Sequence, residues 1–360
     1  MRHVEAIAGR RLWNQHIVRR EHLRPADVVR WLGAVQAQEF EHAKWGLALR
    51  MNDGITDAVL ERAFADGEML RTHVLRPTWH FVTPADIRWM LELTGARVLR
   101  AMSSYLRQLE LDARLLNRGT RAIERALRDG RHLTRAELGE RLRQAGVNVE
   151  GVRLGNLAMY AELEGVICSG PRRDRKFTYA LLAERAPKAM SLPREEALAT
   201  LTRRYFTSHG PATVRDFAWW SGLTMADGKR GLEMNNAAGK EVAGRTYWTL
   251  GGTPARTSRT RTVHLLPIYD EYLVAYRDRE AVPHQWSAPP LSGDTSVTFR
   301  HALLIKGQVA GTWKLTRTST AVRVDVFPVG TLPGGVRSAL DRVVRRYETF
   351  VGVPVVLSVR

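Results

Sequence analysis

The chain has 360 residues, 44% of them hydrophobic and 26% charged, a composition that is typical of a folded protein and excludes a disordered one. Its length allows two or three modules of about 100 to 150 residues each. The formal charge of +18 comes mainly from arginine, since only seven of the 55 basic residues are lysine. GC-rich coding could inflate the arginine content, but the field still attracts a polyanion, and nucleic acid is the leading candidate.

Cys168 is the single cysteine, which excludes an internal disulfide and any multi-thiolate zinc or iron–sulfur site within one chain. No segment reaches about 18 uninterrupted apolar residues, and the first residues form no long apolar stretch, so neither a membrane span nor an export signal is predicted. We therefore expect a cytoplasmic protein with no membrane partner.

Residues 1–90 are predicted to form helices followed by an extended segment. One helix is predicted from Pro25 to Trp31 and another from Thr56 to Ala65. The stretch Met69–Val82 is rich in strand formers and is interrupted at Pro77. Helix, helix and hairpin in this order predict a winged-helix unit.

Residues 91–190 predict a second unit of the same kind. A capping box of Thr134 and Glu137 begins a helix that ends near Gln144, and a second helix follows with an apolar stripe from Leu154 to Leu163. The strands on either side of the basic loop 170–176 then pair as a hairpin, with the loop as the tip of the wing.

The pattern partly recurs over residues 191–245. Helices are predicted there over 195–208, from Thr213 and near 225–234, which makes a third winged-helix-like unit.

Residues 246–360 are predicted to be β-rich, and a small barrel or curled sheet would close the edges of that sheet. Short strands are predicted at 246–250, 263–268, 296–299, 303–315 and 322–326, a late helix at 336–350, and a last strand at 354–359. The predicted fold class is therefore α+β, with tandem winged-helix units and a barrel-like C-terminal element.

Gln36 and Gln38 are the candidate catalytic residues because a carboxamide both accepts and donates hydrogen bonds, so that two of them can fix one water molecule. On a continuous helix these positions are about 200° apart and cannot converge, so they need a helix end or an extended turn. The alternative is that one glutamine is a solvated helix residue and the other a satisfied buried amide.

Several stretches of the chain resemble the AlkZ-type winged-helix DNA glycosylases, and together they span nearly its whole length. The stretches are Val35-Gln36-Ala37-Gln38, residues 43–50, Leu75-Arg76-Pro77-Thr78-Trp79-His80-Phe81-Val82, residues 265–272 with 276–279, and residues 307–313. The resemblance implies that Gln36 and Gln38 are catalytic and that the enzyme needs no metal or other cofactor. It also implies a monomer that acts on double-stranded DNA containing alkylated purines. Because some relatives carry Asp in the second position, Gln38 places the chain in the branch that handles bulky or crosslinked lesions.

The implied reaction is hydrolysis of the N-glycosidic bond of an N7-alkylated purine, whose positive charge already makes the base a good leaving group. The activity could include unhooking of interstrand crosslinks, in self-resistance to a DNA-alkylating natural product. A bulky adduct cannot enter a closed pocket, so the active site is expected to be an open cleft.

Candidate DNA-binding residues fall into three groups. Strand alternation places Thr78 and His80 on one face, which could line a DNA cleft together with Arg71 and Arg76, although a histidine on a strand is more often structural. The wing loop could contact phosphates or could be a solvated hairpin tip. The candidates are Arg71, His73, Arg76, Thr78 and His80; Arg172, Arg173, Arg175 and Lys176 of the loop; and Arg256, Arg259 and Arg261.

The carboxylates Asp270, Glu271 and Asp278 are interpreted as structural, neutralised by the nearby Arg277 and Arg279. The adjacent tryptophans Trp219 and Trp220 are predicted to lie in the core. A winged-helix transcription regulator remains the alternative function, since it would have the same charge and helix spacing without needing paired glutamines.

Overall fold

The computed structural model describes residues 2–21, 24–251, 262–278, 300–318 and 320–360. The N-terminal part begins with helix α1 and then alternates helices with short strands. Its elements are α1 (Arg2–Asn14), α2 (Pro25–Leu32), β1 (Val35–Gln36), α3 (Phe40–Ala48), α4 (Asp57–Ala65), β2 (Leu70–Val74) and β3 (Arg76–Val82). The strands form one antiparallel sheet in the order β1-β3-β2. The two predicted helices and the predicted hairpin are confirmed.

The next part repeats this order of elements. It comprises α5 (Ile87–Gln108), α6 (Ala113–Leu127), β4 (Leu133–Thr134), α7 (Arg135–Gln144), α8 (Arg153–Leu163), β5 (Ile167–Ser169), β6 (Thr178–Leu181) and α9 (Leu182–Arg185). The sheet order is β4-β6-β5. The predicted capping box is confirmed, because Thr134 and Glu137 each accept from the backbone N–H of the other.

The third part contains α10 (Arg194–Ser208), α11 (Val214–Ser221), α12 (Met225–Met234), β7 (Gly239–Val242) and β8 (Arg245–Trp248). A single bridge between Ala212 and Trp248 takes the place of a first strand. Capping boxes at Thr213 and Thr224 begin α11 and α12. These helices lie where the sequence predicted them.

The C-terminal part is a curled sheet with one long helix. Its elements are β9 (Val263–Leu266), α13 (Glu271–Val274), β10 (Ala302–Ile305), β11 (Gln308–Arg317), β12 (Val322–Pro328), α14 (Val336–Val351) and β13 (Val355–Val359). The strand order is β13-β12-β11-β10-β9, and only β12 and β13 pair in parallel. The prediction of one strand over 303–315 is wrong, because Lys306 and Gly307 have positive φ values of 54° and 78° and turn the chain into a hairpin. The strand predicted at 296–299 lies outside the described residues.

The sheet β1-β3-β2 lies between two hydrophobic cores. From one face, Val35 and Phe81 join a core that is shared with the C-terminal sheet. From the other face, Leu70 and Val82 join a core built with Trp220 and other residues of α10 and α11. The chain therefore has a mixed helix and strand fold in which this small sheet is buried on both sides. No helix in the described part of the chain combines the length and apolar character that crossing a membrane requires.

Candidate active site

Gln36 and Gln38 lie on an extended segment, not on a helix. Gln36 ends β1 and pairs with His80 of β3, and the Ala37 N–H donates to the Trp79 carbonyl at 2.7 Å. Helix α3 begins two residues after Gln38. Gln38 lies at the bend that follows β1, so neither glutamine is on a continuous helix. The helix geometry that would keep the two side chains about 200° apart is therefore absent here.

Gln36 is nearly buried, and its backbone and side chain are both held. Its N–H donates to Glu271 Oε1 at 2.7 Å, and its Oε1 accepts from Arg76 Nη2 at 2.9 Å. Because a guanidinium has donors and no acceptor, this contact assigns the carboxamide oxygen to Arg76 and turns the NH2 group away. Burial lowers the pKa of the Arg76 guanidinium, and the charge of Glu271 partly opposes that shift.

Gln38 is half-buried, and its Oε1 accepts from the Trp79 N–H at 3.4 Å. Arg71 braces the same segment, since its Nε donates to the Ala37 carbonyl at 3.0 Å and its Nη2 to the Gln38 carbonyl at 3.4 Å. The guanidinium carbon of Arg71 lies 4.2 Å from the ring centre of Trp79 and 4.5 Å from that of Phe177. Burial lowers the pKa of Arg71 to about 10, so the side chain is still charged at neutral pH.

Both carboxamides keep hydrogen-bonding capacity. Each side-chain oxygen accepts one hydrogen bond from β3 and retains a second lone pair. Neither NH2 group donates to another described residue. Each side chain can therefore both accept a hydrogen bond from a water molecule and donate one to it.

A row of polar side chains crosses the sheet beside Gln36. The register places Gln36 opposite His80, and His80 opposite Thr72. The His80 ring is fully buried, with Nδ1 2.9 Å from the Thr78 carbonyl oxygen. Burial lowers the pKa of His80 well below its usual value, and the charge of Arg76 adds to this, so the ring is neutral near pH 7. A neutral ring that donates from Nδ1 presents an acceptor at Nε2, and this atom has no hydrogen-bond partner among the described residues.

The expectation that Arg71 shares the face of Thr78 and His80 is wrong. Arg71 pairs with Phe81 and His73 with Trp79, so strand alternation puts Arg71 and His73 on the opposite face. The His73 ring centre lies 4.4 Å from that of Trp79, and its Nδ1 contacts the buried carboxylate of Glu162. Arg71 and His73 therefore contact the sheet from the face opposite His80.

Glu271 joins the glutamine segment to the third part of the chain. Its Oε2 accepts from Trp220 Nε1 at 3.0 Å and lies 3.5 Å from His209 Nε2, while its Oε1 holds Gln36. Burial lowers the pKa of His209. Sequence reasoning did not find this role, because 235 residues separate Glu271 from Gln36 and no local pattern links them.

Asp270 forms a two-pronged ion pair with Arg50, with both N···O distances 2.8 Å. The prediction that Arg277 neutralises Asp270 is therefore wrong, because Arg50, which follows α3, is the partner. Arg279 lies outside the described residues. Asp278 pairs instead with Arg245. Both buried carboxylates of this stretch, Asp270 and Glu271, have their oxygens engaged by the protein, which agrees with a structural role.

The cations of the wing loop differ in their surroundings. Arg172 Nη1 lies 2.9 Å from Glu41 and 3.1 Å from Glu61, so its charge is compensated within the protein. Arg173 contacts Glu137. The side chains of Arg175 and Lys176 are exposed, and they are the loop cations placed to meet an outside anion. Arg256, Arg259 and Arg261 lie outside the described residues.

The two adjacent tryptophans have different environments. Trp220 is fully buried as predicted, but Trp219 is 38% exposed, so the prediction that both lie in the core is wrong for Trp219. Neighbouring residues of a helix point about 100° apart, so one can face the core while the next reaches the surface.

The fold and the glutamine segment together place two carboxamides, each with its oxygen held by a hydrogen bond, beside a buried sheet. A family model for AlkZ-like DNA glycosylases matches residues 29–350, and the chain belongs to this family. It is 27% identical over 328 residues to the interstrand DNA cross-link repair glycosylase of Streptomyces sahachiroi, covering 85% of this chain and 86% of that protein. The solved structure of the Streptomyces sahachiroi DNA glycosylase AlkZ superposes with a TM-score of 0.78 at 23% identity, covering 98% of both chains. The chain is a DNA glycosylase, and the comparisons favour this enzyme over the regulator.

Proposed function

We propose that this glycosylase hydrolyses the N-glycosidic bond of bulky N7-alkylated purines in double-stranded DNA, with Gln36 and Gln38 as its catalytic residues. The observation that carries the proposal is that β3 holds both carboxamide oxygens, through Arg76 and the Trp79 N–H, in the short segment between β1 and α3. The name of the relative from Streptomyces sahachiroi supports interstrand crosslinks as part of the substrate class. We place this activity in self-resistance to a DNA-alkylating natural product.

The chemistry requires a placed water more than a strong acid. Alkylation at N7 gives the purine a positive charge, so the base leaves with the electrons of the C1′–N9 bond and becomes neutral. The sugar develops oxocarbenium character, water forms the new bond at C1′, and the released proton passes to solvent. Gln36 and Gln38 hold that water by donating and accepting hydrogen bonds, which the free NH2 groups and second lone pairs allow.

Arg76 and Glu271 are positioning residues in this mechanism, since each holds Gln36 and neither needs to touch the substrate. A lone cation beside a developing oxocarbenium ion would oppose the reaction. The nearby carboxylate of Glu271 compensates the charge of Arg76, and its influence on the pKa of Arg76 reflects their proximity.

The proposed division of the chain is three winged-helix units at residues 1–90, 91–190 and 191–245, followed by a β-rich, barrel-like element at 246–360. The repeated order of helix, strand or bridge, two helices and hairpin supports three units, although the hairpin β7–β8 carries the third unit on to Trp248. We place Arg175, Lys176, Arg256, Arg259 and Arg261 at the DNA backbone. The protein is proposed to act as a cytoplasmic monomer.

The test is single-turnover release of an N7-alkylguanine from a duplex that carries one such lesion, using Gln36→Ala and Gln38→Ala. Each variant should lose rate by about 10²-fold, a loss typical of removing a group that orients or stabilises the reacting centre. Gln144→Ala is the matched control, because Gln144 is exposed on α7 and its side chain donates to Glu140 of the same helix. Unchanged rates in both catalytic variants would refute the proposal.

A further inference from the structure

Trp219 presents an ordered aromatic surface to solvent. Its side chain is 38% exposed, and its indole N–H donates to the Val274 carbonyl at 3.0 Å, which fixes the orientation of the ring. A ring that is already ordered loses little conformational entropy when a ligand stacks on it.

The Trp219 ring borders the glutamine site. Arg76 Nη1 approaches the same Val274 carbonyl at 3.5 Å, while Nη2 of that arginine holds Gln36. Gly222 follows the last residue of α11, and a Cβ atom there would lie only 2.0 Å from the Leu75 carbonyl oxygen in the β2–β3 turn. The helix that carries Trp219 is therefore packed tightly against the hairpin that carries Arg76.

The surroundings of Trp219 favour a nucleobase over an apolar protein segment. The guanidinium carbon of Arg277 lies 5.1 Å from the ring centre of Trp219, and Arg277 is itself exposed. The Arg277 N–H donates to Asp216 Oδ1 at 2.9 Å, which fixes the backbone beneath this side chain. An exposed indole with a cation beside it suits an unstacked base on an anionic strand, because stacking and charge then act together.

We propose that Trp219 and Arg277 form a stacking platform for a base that has left the duplex stack, at the rim of the site of Gln36 and Gln38. The inference rests on the proposed function, because cleavage at C1′ of a damaged nucleotide requires access that a stacked duplex does not give. An open platform also tolerates a base that is too large for an enclosed pocket.

The experiment compares binding of two undamaged duplexes, one fully paired and one with a single unpaired nucleotide, by fluorescence anisotropy at fixed salt. Trp219→Ala should weaken binding of the unpaired duplex about tenfold and of the paired duplex less than about twofold. Trp219→Phe should keep most of the affinity because it retains a ring. Phe327→Ala is the matched control, since Phe327 of β12 is also 38% exposed.

A second variant distinguishes loss of the platform from misfolding of Trp219→Ala. Arg277→Gln changes only an exposed side chain and should weaken the unpaired duplex about threefold. Equal losses on both duplexes in Trp219→Ala, or no loss in either variant, would overturn the platform. Neither duplex contains a damaged base, so these outcomes do not depend on excision. If the glutamine variants keep full excision rates while Trp219→Ala loses the unpaired duplex selectively, the catalytic proposal fails and the platform stands.

Discussion

The hairpins β2–β3 and β5–β6 occupy the same place in the repeated order of elements, but their cations have different surroundings. The first hairpin lies between two cores, and its Arg76 turns inward to hold Gln36. The second ends in a loop where Arg175 and Lys176 are exposed. The contrast teaches that burial decides what a cation does: an enclosed guanidinium orients another side chain, whereas an exposed one acts on an anion at a distance.

The largest expected effect concerns the docking of the first hairpin against α11. Gly222→Ala would place a Cβ atom 2.0 Å from the Leu75 carbonyl oxygen at a residue whose φ is 69°. Backbone strain and overpacking should together lower the free energy of unfolding by about 3 to 5 kcal/mol. Gly146→Ala is the matched control, because φ is 70° there and no atom lies within 4 Å of the added Cβ. It should cost only about 1 kcal/mol by urea unfolding. Equal losses of stability in the two variants would mean that the β2–β3 turn moves to accept the added Cβ atom and that α11 packs only loosely against the hairpin.

The next largest effect is on the excision rate and concerns Arg76, the buried cation of the first hairpin. Arg76→Met removes the donor to Gln36 Oε1, so the carboxamide can rotate. A hydrogen bond from a charged group contributes about 1.5 to 3 kcal/mol, so the single-turnover rate should fall about 10-fold to 100-fold. Arg76→Lys should recover part of the rate because an ammonium can still donate. If Arg76 instead served as a phosphate contact, the salt dependence of binding would change and the rate at saturating enzyme would not.

The same contrast explains what could be predicted from the sequence. A local signal found the helix capped by Thr134, since a capping box joins residues only three positions apart. The helices capped by Thr213 and Thr224 were predicted without their capping boxes, which are equally local. The need for a helix end or an extended turn at Gln36 and Gln38 followed from their spacing once a shared water molecule was assumed. The partner of Asp270 did not, because Arg50 lies 220 residues away and only tertiary packing selects it over the nearer Arg277. The prediction of the sheet face that Arg71 occupies was wrong, because that face depends on strand register, which composition does not determine.

A smaller effect concerns pH. Burial holds the pKa of His80 in the folded protein well below 6.5. In the pH range between that folded pKa and 6.5, the unfolded chain binds a proton that the native protein does not. The stability from the neutral ring is therefore fully present above pH 6.5 and is lost by about 1.4 kcal/mol per unit as pH falls. His80→Asn should flatten the dependence between pH 6 and pH 5 by about that slope in urea unfolding. His264→Asn should do the same, since burial lowers the pKa of His264 to about 3, and an unaltered slope in both would contradict the assignment of neutral rings.

The smallest effect is on the salt dependence of DNA binding and concerns Arg175 and Lys176, the exposed cations of the second hairpin. Neutralising Arg175 and Lys176 with Met should reduce the salt slope of DNA binding, d log K against d log salt, by about 1 for each residue that meets a phosphate. Arg172→Met is the control within the same loop. Its guanidinium already lies against Glu41 and Glu61, so removing it should leave the slope nearly unchanged. Titrations of undamaged duplex at several salt concentrations measure this directly. A loss of slope in Arg172→Met with none in the double variant would reverse the assignment, because the compensated cation would then be the one that releases counterions from DNA.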